Sequence, residues 1–219
     1  MTNTLFLWLE GPLQSWGERA RWSMRDSATE PTKSGVVGLL ACALGLDQDD
    51  DIRALSQRLH VGARCDRAGI LLKDYQTIQG PWGTQLSDRY YLCDATFLVA
   101  VQSDDAALIE QLAKAVQNPF WPIFLGRKAC PVSRPPFAGS GDFPTVKAAL
   151  ESVPVTTPQE RDTVQVRAVM ECAPDEGTRR RDEIDSRSRR TFSPRYTHDV
   201  LLTVQVQTEV TDVPLTPSP

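Results

Sequence analysis

Histidine is almost missing from this chain of 219 residues, which carries it only at His60 and His198. Metal-independent cleavage of RNA commonly relies on an imidazole as general base or acid, so a catalytic reading has two residues to draw on. His60 follows a helical pattern at the entry to a strand, and His198 stands in Arg195-Tyr196-Thr197-His198 ahead of another. Neither has a lysine or tyrosine paired with it in the sequence, and both read as structural or surface residues. Cysteine pairs are missing as well. The five cysteines (Cys42, Cys65, Cys93, Cys130, Cys172) are scattered, odd in number and never two residues apart. That argues against a zinc site or a disulfide framework and for reduced thiols in a cytosol.

No apolar run approaches the ~20 residues of a membrane span. The start, MTNTLFLWLEGP, lacks the basic region and small-residue cleavage site of a signal peptide. A cytoplasmic protein without a membrane partner is therefore expected. Positive charge is not in excess either: 24 Lys and Arg face 28 Asp and Glu, a net charge of −4, which counts against a generic nucleic-acid binder. A nucleotide-hydrolysing P-loop is absent too. The pattern needs a glycine six residues before Lys33, where Ser27 stands, and another immediately before it, where Thr32 stands. Asp49-Asp50-Asp51 suits a helix start better than a two-metal centre. No cofactor, metal or catalytic residue is expected.

What is present is ordinary in amount and uneven in place. Hydrophobic residues make up 41% and charged residues 24%, enough for one good core or one domain with an appendage. Basic residues gather over Arg19–Arg25, at Arg127-Lys128 and over Arg179–Arg195. Such patches on an acidic average fit a protein that binds RNA on one face and protein neighbours on others.

Thr4–Leu9 reads as a buried strand ended by Glu10-Gly11-Pro12. Val36–Leu46 reads as a helix, with Ser34 as candidate N-cap and Gly45 at its stop. A second helix starts at Asp50-Asp51 and aligns Ile52, Leu55 and Leu59. His60–Asp66 alternates as a strand, and Tyr75–Tyr91 reads as a protruding hairpin turning at Gly80-Pro81-Trp82-Gly83. Leu92–Val101 is the strongest strand pattern, and Ala106–Val116 is an amphipathic helix. Pro122–Val132 reads as extended chain around a Gly-Arg-Lys turn. This order predicts an α+β fold of ferredoxin-like or RRM type, βαββαβ, over residues 1–150. A β-rich extension over 151–219 follows, with strands at Thr163–Glu171 and Val200–Thr208. A short helix is expected at Thr145–Leu150, a mobile Arg-rich loop at 174–190, and a frayed tail from Thr211.

The chemistry on offer is stacking and charge. The stretch from Gly11 to Leu46 runs from a strand through a polar loop carrying Trp16, Arg21, Trp22 and Arg25 into a helix at Lys33-Ser34. Cations and flat aromatics beside a helix N-terminus suit phosphates and unstacked bases. A surface loop with its tryptophans buried for packing is the plainer alternative. Tyr75, Trp82, Tyr90 and Tyr91, near Lys73 and Arg89, extend the aromatic and cationic set, and single-stranded RNA is recognised by such sets.

Five separated motifs carry a resemblance: GPLQSWG, PTKSGVVGLLACALGL with DQDDD, DYQTI, RYYLCDATF and FLGRKACP. Together they resemble the CasD family, the fifth family of CRISPR-associated proteins in its type I-E Cascade form, within the repeat-associated mysterious protein superfamily. Arg189-Arg190-Thr191-Phe192 and Arg195-Tyr196 extend the likeness weakly. The resemblance implies an RRM-like domain with a thumb hairpin. It implies a non-catalytic subunit that caps the 5′ handle of crRNA, contacts the backbone and large subunits, and meets target DNA through the assembled complex. By position it places Gln14, Ser15, Trp16 and Gly17 in a handle loop and Lys33 and Ser34 at a helix start. Tyr75 to Arg89 becomes the thumb, and Arg127-Lys128 a glycine-rich turn. It also supplies the competing reading, a metal-independent endoribonuclease, since a related subtype cuts precursor RNA with its member of this family. A protein-only scaffold is the third.

Overall fold

The structure is a computed structural model that describes residues 2–18, 24–81, 83–156, 162–186 and 188–207. In chain order the elements are β1 (Thr4–Glu10), β2 (Leu13–Gln14), β3 (Met24–Arg25), α1 (Lys33–Leu44), α2 (Asp49–Gln57), β4 (His60–Arg67), β5 (Ile70–Gly80) and β6 (Gly83–Cys93). They continue with β7 (Thr96–Gln102), α3 (Ala106–Gln117), β8 (Phe137–Gly141), α4 (Val146–Ser152), β9 (Val155–Thr156), β10 (Thr163–Glu171), β11 (Thr178–Ser186) and β12 (Thr191–Gln207). One large sheet runs in the order β11-β12-β10-β4-β7-β1-β8, with β9 added to β12. A second runs β2-β6-β3, with β5 also on β6.

The central strands are apolar at nearly every position because both faces of the sheet are covered. Leu5, Leu7 and Leu9 of β1 pack with Val36, Leu40, Ile52, Ile109 and Leu112 from the three larger helices. Phe6 turns the other way, into a smaller cluster with Leu98, Leu150, Met170 and Leu202. Helix α1 begins earlier than its apolar pattern suggested. The Thr32 side chain, not Ser34, accepts from the Gly35 N–H, and Gly45 closes the helix at φ 75°, a left-handed conformation glycine adopts at little steric cost. Three acids occupy the first turn of α2, where they suit the helix dipole.

Three sequence expectations change. The extended chain at 122–132 forms only an isolated bridge, Phe124 to Pro131; the strand that returns to β1 after α3 is β8. Leu92–Val101 is not one strand. It breaks at Asp94, φ 56°, where the hairpin ends and β7 begins. The expected mobile loop at 174–190 contains β11, paired with β12 and burying Asp182 and Ile184. Its charges hid the alternation because several of them face inward against partners. Strand β10 lies where alternation placed it, β12 starts nine residues before the expected Val200, and β10 joins β4 through Ala168–Arg64 and Val169–Ala63. The expected contributions of Arg19, Arg21, Trp22, Trp82 and the tail from Thr211 lie outside the described residues. Among the described residues no helix is long and apolar enough to cross a membrane.

Candidate nucleic-acid interface

The first loop builds a platform more than it offers a surface. Gln14 is fully buried. Its amide nitrogen donates to the carbonyls of Leu9 (3.1 Å) and Ala95 (2.7 Å), and its oxygen accepts from Trp16 Nε1 at 3.0 Å. The Trp16 ring is 1% exposed and lies so close to Gly35 that a Cβ there would stand 2.7 Å from Trp16 Cε3. Trp16 is thus a core residue, and the ring expected to stack on a base is unavailable in this conformation. Ser15 is buried too; its N–H donates to the Leu125 carbonyl (3.0 Å) and its hydroxyl to that of Tyr90 (3.1 Å). Gly126, at φ 90°, fits against it so closely that a Cβ would lie 1.8 Å from the Ser15 carbonyl oxygen. Gly17 is exposed beyond this interlock.

The helix start is likewise filled from within. The Lys33 N–H donates to Asp182 Oδ2 at 3.0 Å, and the Lys33 ammonium, 5% exposed, lies 3.3 Å from Glu171 and 3.2 Å from Glu183. Arg195 grips both oxygens of Asp182 at 2.6 and 2.7 Å. An internal carboxylate from β11 therefore takes the position a phosphate was expected to hold. Ser34, half-buried, sits 3.4 Å from the Thr32 hydroxyl. Trp16, Lys33 and Arg89 do not share one groove.

A different set of cations does converge. Strand β3 pairs in parallel with β6, setting Arg25 beside Arg89, and neighbouring strands stand about 4.8 Å apart. The Ser15–Gly126 interlock delivers Arg127 to the same place. Its Nη2 donates to the carbonyls of Arg25 (2.9 Å) and Asp26 (3.3 Å), and its guanidinium carbon lies 4.8 Å from the centre of the Tyr91 ring. Arg89 Nε and Arg127 Nη1 are buried without a hydrogen-bond partner among the described residues. Burial first, then the charges of Arg190, Arg89 and Arg127, push the Arg25 guanidinium below its ordinary pKa. The charge of Arg190, outside the expected site, thus also acts on Arg25. Its motif was visible in the sequence, but only the β11–β12 pairing carries it there. Lys128 is exposed next to Arg127.

The hairpin β5–β6 is present over Ile70–Cys93, and its register sorts its side chains. Asp74 faces Arg89 and Tyr75 faces Asp88. Residues opposite each other share a face and successive residues alternate, so Tyr75 lies on the face opposite Arg89 and Arg25. Tyr75 is 62% exposed and shares its face with Leu71 and Leu86, both more than half exposed. Lys73 on that face is held by Asp88 at 2.8 Å.

Both histidines line one cleft with Gln102, Thr145, Lys147 and Glu171, a cavity of about 410 Å³. His60 Nδ1 is 3.4 Å from Glu171 Oε2. The hydrogen bond to Glu171 raises the His60 pKa against the opposing effect of burial. The cleft lies at the end of the strands where His60, Gln102 and Thr4 align; the hairpin leaves from the other end, at Arg67, Thr96 and Glu10. Six residues of strand separate those ends by roughly 20 Å. Among the described residues no group of three or more His, Cys, Asp or Glu is placed to hold a metal ion.

Residues 4–204 match the family described as CRISPR-associated protein (Cas_Cas5). The chain is similar to the CRISPR system Cascade subunit CasD of Escherichia coli (strain K12), 36% identical in an alignment 161 residues long that covers 64% of this chain and 72% of that protein. It is also similar to a solved chain titled "Crystal structure of Cas protein", with 37% identity, a TM-score of 0.72, and coverage of 91% of this chain and 94% of that one. A chain from a "CRISPR RNA-guided surveillance complex" superposes with a TM-score of 0.77 at 28% identity, covering 93% of this chain and 92% of its own.

Proposed function

Because the chain belongs to the CRISPR-associated Cas5 family, we propose that it is a Cascade subunit that caps the 5′ handle of crRNA without cutting it. The observation that carries this reading is the convergence of Arg25, Arg89 and Arg127 from three chain segments, with two guanidinium nitrogens buried and unbonded among the described residues. Buried donors without acceptors are costly, and phosphate oxygens would satisfy them in charge-assisted bonds. In this reading Arg25, Arg89, Arg127 and Lys128 contact the handle, with Arg21 a further contact and Ser34 and Gly17 at the margin. Gln14, Ser15, Trp16 and Lys33 hold the platform. Tyr75, on the hairpin face away from Arg89, is assigned to a neighbouring backbone subunit.

We also read the strand order β8-β1-β7-β4, with helices between β1 and β4 and between β7 and β8, as the ferredoxin-like RRM unit. Residues 1–150 form it, the β5–β6 hairpin is its thumb, and 151–219 extend its sheet. The endoribonuclease reading needs a histidine at the scissile phosphate, and both histidines line a cleft at the far end of the strands. That distance supports a binding role.

Fluorescence anisotropy of a 5′-handle RNA with the full chain tests the proposal, with assembly of the complex as a second readout. R89A and R127A are expected to weaken binding at least tenfold, and to leave RNA uncut in EDTA. Unchanged affinity in both, or site-specific cleavage abolished by H60A or H198A, would overturn it.

A further inference from the structure

We infer that Glu30 is a positioning residue for RNA binding: through it, Arg167 of β10 and Arg180 of β11 hold the segment between β3 and α1 in the conformation that presents Arg25. The inference rests on the handle-binding reading above and deepens it, giving the C-terminal strands a part in a site whose cations come from elsewhere.

Strand β3 is only two residues long, too short to be set by its own ladder bonds. Its place depends on the chain around it. Ala28 bridges to Trp16, its N–H donating to the Trp16 carbonyl at 2.6 Å. Glu30, 1% exposed, then anchors the segment just ahead of Thr32, the cap of α1. Its Oε2 accepts from both terminal nitrogens of Arg167 at 3.1 Å and from the Thr29 hydroxyl at 2.6 Å. Its Oε1 accepts from Arg180 Nη2. Burial alone would raise the Glu30 pKa, but the Thr29 hydroxyl, Arg180 and Arg167 together hold it below its ordinary value.

The two arginines are fixed in turn. Arg167 Nε donates to Asp199 at 2.5 Å, and Arg180 Nε lies 3.7 Å from Glu18. Arg180 therefore clasps the chain on both sides of Arg25, at Glu18 before it and at Glu30 after it. A buried carboxylate between arginines adds little stability over apolar packing of the same size. It does specify one arrangement, because any other leaves a buried charge unpaired. Holding a binding segment in its bound conformation removes the cost of ordering it when the ligand arrives. Glu30, closed off from solvent and negatively charged, acts without touching the RNA.

Fluorescence anisotropy of the full chain with 5′-handle RNA over a series of salt concentrations tests this, together with hydrogen exchange of peptides covering 24–32. E30Q and R180Q are expected to weaken binding about tenfold, the scale on which residues that support a binding shell from behind act. R167Q, whose side chain is 40% exposed, is expected to weaken it less and serves where E30Q fails to fold. A direct phosphate contact contributes about −0.7 to the slope of log K against log salt, and all three variants are expected to keep the parent slope. Exchange over 24–32 is expected to quicken in each. L150A, which truncates the core behind the sheet, destabilises the chain away from this segment and is expected to bind RNA and to exchange over 24–32 as the parent does. Thermal melting confirms that each variant is folded at the temperature of measurement.

If R89A and R127A weaken binding while R180Q and R167Q bind as the parent does, the inference fails and the handle-binding reading stands. The same holds if R180Q lowers the slope by a full phosphate contact, or if binding weakens without faster exchange over 24–32. If R89A and R127A bind as the parent does, the handle-binding reading fails and takes the inference with it.

Discussion

Two regions of this molecule concentrate charge, and they treat it in opposite ways. Around the start of α1, Lys33 and Arg195 are enclosed by Asp182, Glu171 and Glu183, every one of them bonded within the chain. At the junction of β3, β6 and the turn after α3, Arg25, Arg89 and Arg127 converge, and two of their nitrogens remain unbonded among the described residues. The first region is complete without a ligand and ties the C-terminal strands to the N-terminal helix. The second leaves Arg89 Nε and Arg127 Nη1 without an acceptor among the described residues, which is where the proposed function puts a phosphate. A basic residue is informative about binding only once its internal partners are known.

The largest effect expected from that contrast is on stability. Asp182 is fully buried in its ion pair, and D182N removes the charge that compensates Arg195 and the α1 N-terminus. Breaking a buried pair on one side costs about 3–5 kcal/mol. Urea denaturation of the variant is expected to show a loss of that order, and a change below about 1 kcal/mol would mean the two regions do not differ as described. R127A should behave in reverse. It is expected to cost about 1.5–3 kcal/mol in RNA binding, the range for a hydrogen bond to a charged group. Its urea midpoint should fall far less than that of D182N, because the repulsion it removes offsets part of the lost bonds to the Arg25 and Asp26 carbonyls. A large loss of stability in R127A would erase the distinction.

The hairpin gives a smaller and sharper comparison, between its own two faces. Y75A lies on the face away from Arg89, so handle affinity is expected to stay within about twofold. Assembly with a neighbouring subunit should weaken, as happens when an exposed aromatic anchor is truncated. A handle-binding defect equal to that of R89A would place RNA on both faces.

Much of the fold was legible in the sequence because it follows from periodicity. The strands β1, β4 and β10 and the helix α3 are set by which positions are apolar, and Gly45 by a requirement only glycine meets cheaply. The candidate site was read from loop residues whose burial the sequence does not show. Trp16 and Lys33 look like ligands because an aromatic and a cation in a polar loop carry no local sign of burial. What buries Trp16 is Gln14 and Gly35, and what neutralises Lys33 comes from positions 171 and 183. Likewise Glu30, 1% exposed, pairs with Arg180 and Arg167, so part of the Arg-rich C-terminal segment is internal structure. Composition sees the charges of a strand such as β11 and misses the carboxylates that face them.

His60 gives the smallest effect and the finest test of how the first region responds to pH. Its hydrogen bond to Glu171 raises its pKa in the folded chain above the ordinary 6.5. The protonated ring therefore adds stability that is complete below about pH 6.5 and is lost as pH rises through the higher folded value. Glu171 shifts the other way. Burial alone would raise its pKa, but His60, Lys33 and Arg195 together hold it below the usual range. Its contribution is therefore present above the ordinary carboxylate pKa of 4.5 and lost as pH falls through the lower folded value. Because the His60 side chain is 68% exposed, solvent screening keeps its share under about 1 kcal/mol. H60Q is thus expected to melt below the parent by a degree or two at pH 5.5 and together with it at pH 8.5, with Lys33, Arg195 and Asp182 still locked. A deficit that instead grew with pH would mean His60 is held neutral, and the Glu171 cluster would then have to balance its charge without it.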